Sequence, residues 1–407
     1  MWHVVPDHMT QRMDISSGAV PVAIIVNEIP PYRIHLHRRI ICEIPEIRVW
    51  TICTHDAGRG LWRSEVPADI HPILLGQGQP AAVQQRKIRY WPREWRKAGR
   101  IIRWMKQQRI RAVIMGGYND LGRLRLIHWC RRHQVNCFLV ADSNIHSDKA
   151  RGLVAMIKRL WVSSVVRKCD GILPCGTLGK AYFERYGADP DRIFFFPYEP
   201  DYELIRNLPS DVIENTRRRF QLNPNRRRIV FCARMVDVKR PDLLIDAFIR
   251  IADERSQWDL VMAGSGPMEE YLKQRLPAEL RERVIWTGFL DDQSAVSALY
   301  RLSDVLVLPS DYEPWALVIN EAVAAGMAVV ASNIVGAAAE LVREGVNGHT
   351  FPVGDLNELT DCLREVTDDK RIDAMKAASK PILEDWQQHN DPVKGLRRAL
   401  RAVGIFQ

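Results

Sequence analysis

From Pro21 onward the chain alternates short, β-rich apolar runs with stretches of helical periodicity. The runs are VAIIVN (22–27), IRVWTIC (47–53), IHPILL (70–75), AVIMG (112–116), CFLVAD (137–142), GILPC (171–175) and IFFFP (193–197). Runs apolar at almost every position predict strands buried on both faces, and their alternation with helices predicts a doubly wound parallel sheet. Pro197 and Pro200 predict a linker, after which the pattern resumes. RIVFCA (228–233), WDLVMAG (258–264), VIWTGF (284–289), VLVL (305–308) and MAVVA (327–331) predict a second α/β domain. The 407 residues leave room for both cores. The expected divisions are a disordered leader over 1–19, a first domain over 20–203, a second over 204–385, and a basic amphipathic helix within 386–407.

The most informative stretch is VLVLPSDYEPWALVINEAVAAGMAVVAS, from Val305 to Ser332. It predicts a buried strand, a loop opening at Pro309, a helix from about Ala316 to Ala325, a stop at Gly326 and a further strand. Glu313 falls on the loop before the helix and Glu321 about a turn and a half inside it. The unpaired NH groups of a helix N-terminus attract anions, so a phosphate fits between the loop and the first turn. The acids repel phosphate, and their work would be to accept hydrogen bonds from hydroxyls on either side of it. Two acids alone fit better a dipole-favoured helix start and a solvated helix residue.

The neighbouring residues favour the first reading. EPWALVINEAVAAGMAVVAS resembles the Glu-x7-Glu motif of the family-4 retaining nucleotide-sugar glycosyltransferases, with Ala316 standing where Gly is common. The resemblance covers most of residues 200–370 and, more weakly, 20–200. It implies the GT-B fold, two doubly wound domains facing a cleft, with the final helix returning toward the first domain. It also implies that Arg234 and Lys239 in RMVDVKRPDLLIDAF reach the diphosphate of a nucleotide-sugar donor, where fixed cations stabilise the charge of the leaving group without a metal or other cofactor. Glu313 would orient sugar hydroxyls and Glu321 hold the ribose. Gly264, Gly266, Thr287, Gly288 and Phe289 would wall the base pocket, and Pro314, Trp315, Ala316, Leu317 and Val318 would complete the donor site.

Ligands of open parallel sheets bind at the carboxyl ends of the strands. In the first domain that rule selects Asn27, Pro31, Tyr32, Gly116, Gly117, Tyr118, Asn119, Asp142, Ser143 and His146 as acceptor-side candidates. Asp142 is also a candidate catalytic acid, or else a strand-end cap. No G-x-G-x-x-G follows the first strand, which argues against a dinucleotide oxidoreductase.

Charge adds a further partner. Residues 1–200 hold 31 Lys and Arg against 17 Asp and Glu, and the remainder 27 against 32, giving the overall +9. Within RKIRYWPREWRKAGRIIRWMKQQRIR (86–111), a helix from about Arg93 would turn Trp95, Ala98, Ile102 and Met105 inward. Arg93, Arg96, Lys97, Arg100, Arg103 and Trp104 would then face an anionic membrane surface. Nucleic acid would suit the same charge, but no nucleic-acid motif accompanies it. The eight scattered cysteines, without a Cys-x-x-Cys pair, and the lack of an apolar leader or an 18-residue apolar run suggest a cytoplasmic protein, peripheral at the inner face of the cytoplasmic membrane. The acceptor would be a saccharide or a lipid-linked intermediate of envelope polysaccharide or glycolipid synthesis. A catalytically silent binding protein and a nucleotide-sugar epimerase remain alternatives on the same fold.

Overall fold

A computed structural model describes residues 18–55, 67–76, 88–148 and 150–407. The expected leader lies outside the described residues apart from Gly18 and Ala19, as do Arg86 and Lys87 of the basic stretch.

Twelve parallel strands form two six-stranded sheets among the described residues. The first contains β1 (Val20–Val26), β2 (Ile47–Cys53), β3 (Pro72–Leu74), β4 (Ala112–Gly116), β5 (Asn136–Ala141) and β6 (Gly171–Pro174). Its helices are α1 (Pro31–Glu43), α2 (Trp91–Gln107), α3 (Leu121–Arg132), α4 (Gly152–Val166) and α5 (Thr177–Arg185). Two helices, α6 (Tyr202–Arg206) and α7 (Ser210–Arg219), lead into the second sheet. That sheet contains β7 (Arg227–Cys232), β8 (Trp258–Ala263), β9 (Val284–Gly288), β10 (Val305–Leu308), β11 (Ala328–Ser332) and β12 (Gly348–Phe351). Around it lie α8 (Pro241–Ile251), α9 (Glu269–Arg275), α10 (Gln293–Arg301), α11 (Leu317–Ala324), α12 (Gly336–Leu341), α13 (Leu356–Val366) and α14 (Ile372–Asn390). The last helix is α15 (Pro392–Ala402).

The strand orders are β3-β2-β1-β4-β5-β6 and β12-β11-β10-β7-β8-β9, the same doubly wound order in both domains. Each sheet therefore reverses direction between its first and fourth strands, at β1/β4 and at β7/β10, where a crevice opens beyond the strand ends. This is the GT-B architecture. The strands carry almost no exposed side chains: Val305 to Leu308 and Ala328 to Ala331 are wholly covered, with helices on both faces.

The apolar run 193–197 is not a seventh strand. It makes a single bridge, Ile172 to Ile193, and then passes under α15, where a side chain on Gly395 would fall 1.9 Å from the Phe195 carbonyl. Val393, Leu396, Ala399 and Leu400 of α15 share the core of α1 in the first domain. The chain thus crosses between domains twice, before α6 and before α15. Arg39 of α1 ties both crossings, donating to Glu199 at 2.5 Å and to Asp391 at 2.8 Å. Further bonds span the domains at Asn144 to the Ile334 carbonyl (2.9 Å) and from the Thr177 amide to Glu340 (2.6 Å).

Helix α2 differs from its expected phase. Trp95 is 48% exposed, whereas Lys97 is buried and donates to the Thr54 carbonyl (2.7 Å) and Glu94 (2.9 Å). Trp104 is partly buried and packs edge-on against Trp50 at 5.7 Å. Lys97 and Trp104 are therefore removed from the expected membrane face, which keeps Arg93, Arg96, Arg100 and Arg103. Among the described residues no helix is long and apolar enough to cross a membrane.

Candidate functional site

The loops after β7, β8 and β9 are joined backbone to backbone. The Ala233 amide donates to the Ala263 carbonyl, Met235 to Ser265, and Gly264 to Gly288. At Gly264 (φ +126°) a Cβ would lie 2.1 Å from the Ala233 carbonyl, and at Gly266 one would lie 2.3 Å from that of Met235. Neither position admits a side chain. These glycines allow three strand ends to form one floor, and that floor lines a cavity of about 690 Å³ between the domains.

The cavity is closed from the second domain by Arg234, Phe289, Leu317, Val318 and Glu321, and from the first by Pro31 and Tyr32. The Arg234 side chain is exposed, with no hydrogen-bond or ion-pair partner among the described residues. The first turn of α11 has no side-chain cap, so the amides of Leu317 and Val318 present the helix N-terminus to the same space. Ahead of it, Ala316 sits at φ +81°, a left-handed conformation that strains a residue with a Cβ.

Glu321 is buried on the second turn of α11. Gln293 donates to one of its oxygens at 2.9 Å and Tyr300 to the other at 3.1 Å. Burial pushes its carboxyl up to about 7, only partly offset by these two donors. Glu313, on the preceding loop, pairs with Lys239, so the second basic residue is held beside the first acid. The loop between them is fixed by the Gly336 amide on the Glu313 carbonyl (3.3 Å) and by Ala337 on Trp315 (2.8 Å). Thr287 turns back onto the Gly288 carbonyl at 2.9 Å, and Pro314 packs its carbonyl against Gly336.

Trp315 does not face the cavity. It is buried against Trp386, with its indole NH on the Tyr198 carbonyl at 3.0 Å, which makes it part of the interdomain core. Tyr118 is likewise buried, its hydroxyl 3.1 Å from that of Tyr182 and its ring against Trp161. Asn27 accepts from Arg123, a buried guanidinium that also holds Asp120 (2.6 Å) and the Gly116 carbonyl (2.7 Å). These strand-end residues organise the first domain from within. Asp142 and His146 remain exposed at the end of β5, and the His146 amide is held by Asn144 at 2.8 Å.

The structure adds cavity residues that the sequence reading did not select. His35 and Arg38 follow Tyr32 along the outer face of α1, and Gln293 and Tyr300 lie two turns apart on α10. The spacing of three from Tyr32 to His35 to Arg38 was a readable signal of one helical face. Nothing in the sequence of α10 marks its two polar residues as partners of Glu321.

Residues 212–381 match the family model described as glycosyl transferases group 1. An uncharacterized glycosyltransferase of Methanocaldococcus jannaschii, MJ1607, is 36% identical over 230 residues, which is 55% of this chain and 57% of the relative. The lipopolysaccharide core biosynthesis mannosyltransferase LpsB of Rhizobium meliloti is 27% identical over 52% of this chain and 59% of its own. The chain thus spans somewhat under two thirds of the curated relatives it matches. Among solved structures, Anabaena Alr3699/HepE in complex with UDP and glucose superposes with a TM-score of 0.70 at 18% identity, covering 95% of this chain and all of the other. WaaG, a glycosyltransferase involved in lipopolysaccharide biosynthesis, does so with 0.64 at 15% identity, covering 94% of this chain and all of the other.

Proposed function

We propose that this chain, whose residues 212–381 match the glycosyl transferases group 1 model, transfers a sugar from a nucleotide-diphosphate sugar to a saccharide or lipid-linked acceptor, with retention of anomeric configuration. One observation carries the reading: an unpaired arginine, an uncapped helix N-terminus and a buried carboxylate share one cavity of about 690 Å³. That volume is ordinary for a small-molecule site.

In this reading Arg234, Lys239 and the amides of Leu317 and Val318 hold the diphosphate. They supply fixed positive charge where the leaving group becomes more anionic, and need no metal. Glu321 accepts from the ribose hydroxyls, with Gln293 and Tyr300 fixing its carboxyl plane. Glu313 orients the transferred sugar while it stays paired with Lys239. The leaving phosphate oxygen assists deprotonation of the acceptor, which attacks from the face the nucleotide leaves; Asp142 and His146 border the acceptor side. Phe289 and the Gly264–Gly266 turn flank the base. The site works at the inner face of the cytoplasmic membrane, with the Arg93, Arg96, Arg100 and Arg103 face toward anionic lipid. The related mannosyltransferase and WaaG, both named for lipopolysaccharide synthesis, support an envelope glycoconjugate as product.

The test is nucleotide release from a panel of UDP- and GDP-sugars, with and without extracted lipid-linked acceptors. Release from one donor that rises with acceptor supports transfer. Donor binding without release points to a silent binding protein, and interconversion of free nucleotide-sugars to an epimerase.

A further inference from the structure

Fifteen large apolar side chains are exposed among the described residues, and six of them lie on the first two and a half turns of α4. They are Leu153 (66% exposed), Val154 (65%), Met156 (55%), Ile157 (57%), Leu160 (66%) and Trp161 (42%). At 100° per residue they form one continuous stripe roughly 160° wide. The opposite side of the helix, Val162, Val165 and Val166, packs into the first domain's core. A soluble helix inverts this pattern, placing its longest apolar residues inward and its polar ones outward.

The surroundings identify the occupant. Exposed Arg151, Arg159 and Arg167 rim the stripe, and its C-terminal continuation turns polar at Ser164 and Arg167. Helices α2 and α4 pack into the same core cluster on one side of the first sheet. The outward Arg93, Arg96, Arg100 and Arg103 of α2 therefore lie on the same side of the domain as the stripe. Two copies of this chain meeting stripe to stripe would bring arginine rims of like charge together, whereas anionic headgroups neutralise them.

We infer that α4 is an anchoring helix that lies in the surface of an anionic bilayer, with Leu153 to Trp161 buried at the headgroup boundary and the arginines on the headgroups. It is attached to the acceptor side of the cleft. The exposed Asp142 follows β5 on the segment that leads to it, and Lys158 of the helix is held back to Asp148 at 2.8 Å. The presentation of a lipid-linked acceptor at that wall rests on the transfer reading; the anchoring does not.

The full chain is sedimented with vesicles of phosphatidylcholine containing about a third phosphatidylglycerol, and with phosphatidylcholine alone. Wild type is expected to partition onto the anionic vesicles, and Ile157→Asp/Leu160→Asp to lose about 100-fold in partition. Both substituted side chains are exposed, so the melting temperature and nucleotide binding should stay as in wild type, and loss of either would mark misfolding; Ile157→Ser/Leu160→Ser then carries the test. Arg96→Glu/Arg100→Glu should weaken the binding less. Undiminished partition of both α4 variants overturns the inference. So does a wild type that ignores vesicles, including one that instead forms a dimer dispersed by the α4 substitutions. Because no sugar transfer is measured, these outcomes are separate from failure of the transfer reading.

Discussion

The two walls of the cleft are built on the same strand order and use it differently. In the second domain the switch point delivers side chains and amides to the cavity: Arg234 after β7 and the opening turn of α11 after β10. In the first domain the equivalent positions are engaged internally. Asn27 after β1 and Gly116 ending β4 are both held by the buried Arg123. The rule that ligands sit at strand ends finds both walls, but it does not distinguish a residue that faces a ligand from one that holds the wall together.

The contrast can be broken by substitution. Arg234→Ala should reduce nucleotide-sugar turnover by about 10³-fold, the scale of one lost charge-stabilising donor, with an unchanged melting temperature because the side chain is exposed. Wild-type turnover in this variant would remove the phosphate assignment. Asn27→Ala should do the reverse. Its loss leaves Arg123 short of an acceptor in a buried site and should cost about 1–3 kcal/mol in denaturant unfolding, with turnover per folded molecule nearly unchanged. A large fall in turnover without loss of stability would move Asn27 into the site.

A pH series sharpens the second wall. Glu321 must be ionised to accept ribose hydroxyls, and burial holds its carboxyl at about 7. Donor affinity measured by calorimetry should therefore fall as pH drops below about 7, by up to tenfold per unit, and Glu321→Gln should bind weakly without that dependence. Stability runs the opposite way. A raised carboxyl favours the protonated fold, so this contribution is fully present below the ordinary value of 4.5 and is lost as pH rises through about 7. Glu199, also raised to about 7 by burial against the pull of Arg39, adds the same sign. The smallest effect is at Ala316. With φ at +81°, Ala316→Gly should raise stability by about 1 kcal/mol, read as a higher denaturant midpoint.

Much of this is legible in the sequence. Strands such as Ala112–Gly116 and Val305–Leu308 were readable because both faces are covered and every position is apolar. The run 193–197 misled for the same reason: it is apolar because α15 covers it, and a buried segment with only a bridge and two backbone bonds to β6 leaves the same signature as a full strand. The segment Glu313–Glu321 was readable because a fixed loop and helix impose its spacing. Trp315 was misread within it, since a motif residue can serve the interdomain core as well as a ligand. Lys97 turned inward because a carbonyl and a carboxylate wait for it there, and helical periodicity carries no record of such partners. The exposed stripe of α4 passed unnoticed because its apolar residues look like an ordinary core face until the structure shows which side is covered.

The arginine that ties both interdomain crossings also restricts how the molecule can move. Two covalent crossings side by side behave like paired hinges on a door: rotation about the line through them is easy, while sliding or twisting one domain over the other would stretch the chain. Arg39 sits on that line, bonded to both crossings. The bonds at Asn144–Ile334 and Thr177–Glu340 lie elsewhere between the domains. The fold thereby joins its domains at one doubly crossed seam tied by a single side chain, and at two further contacts apart from it.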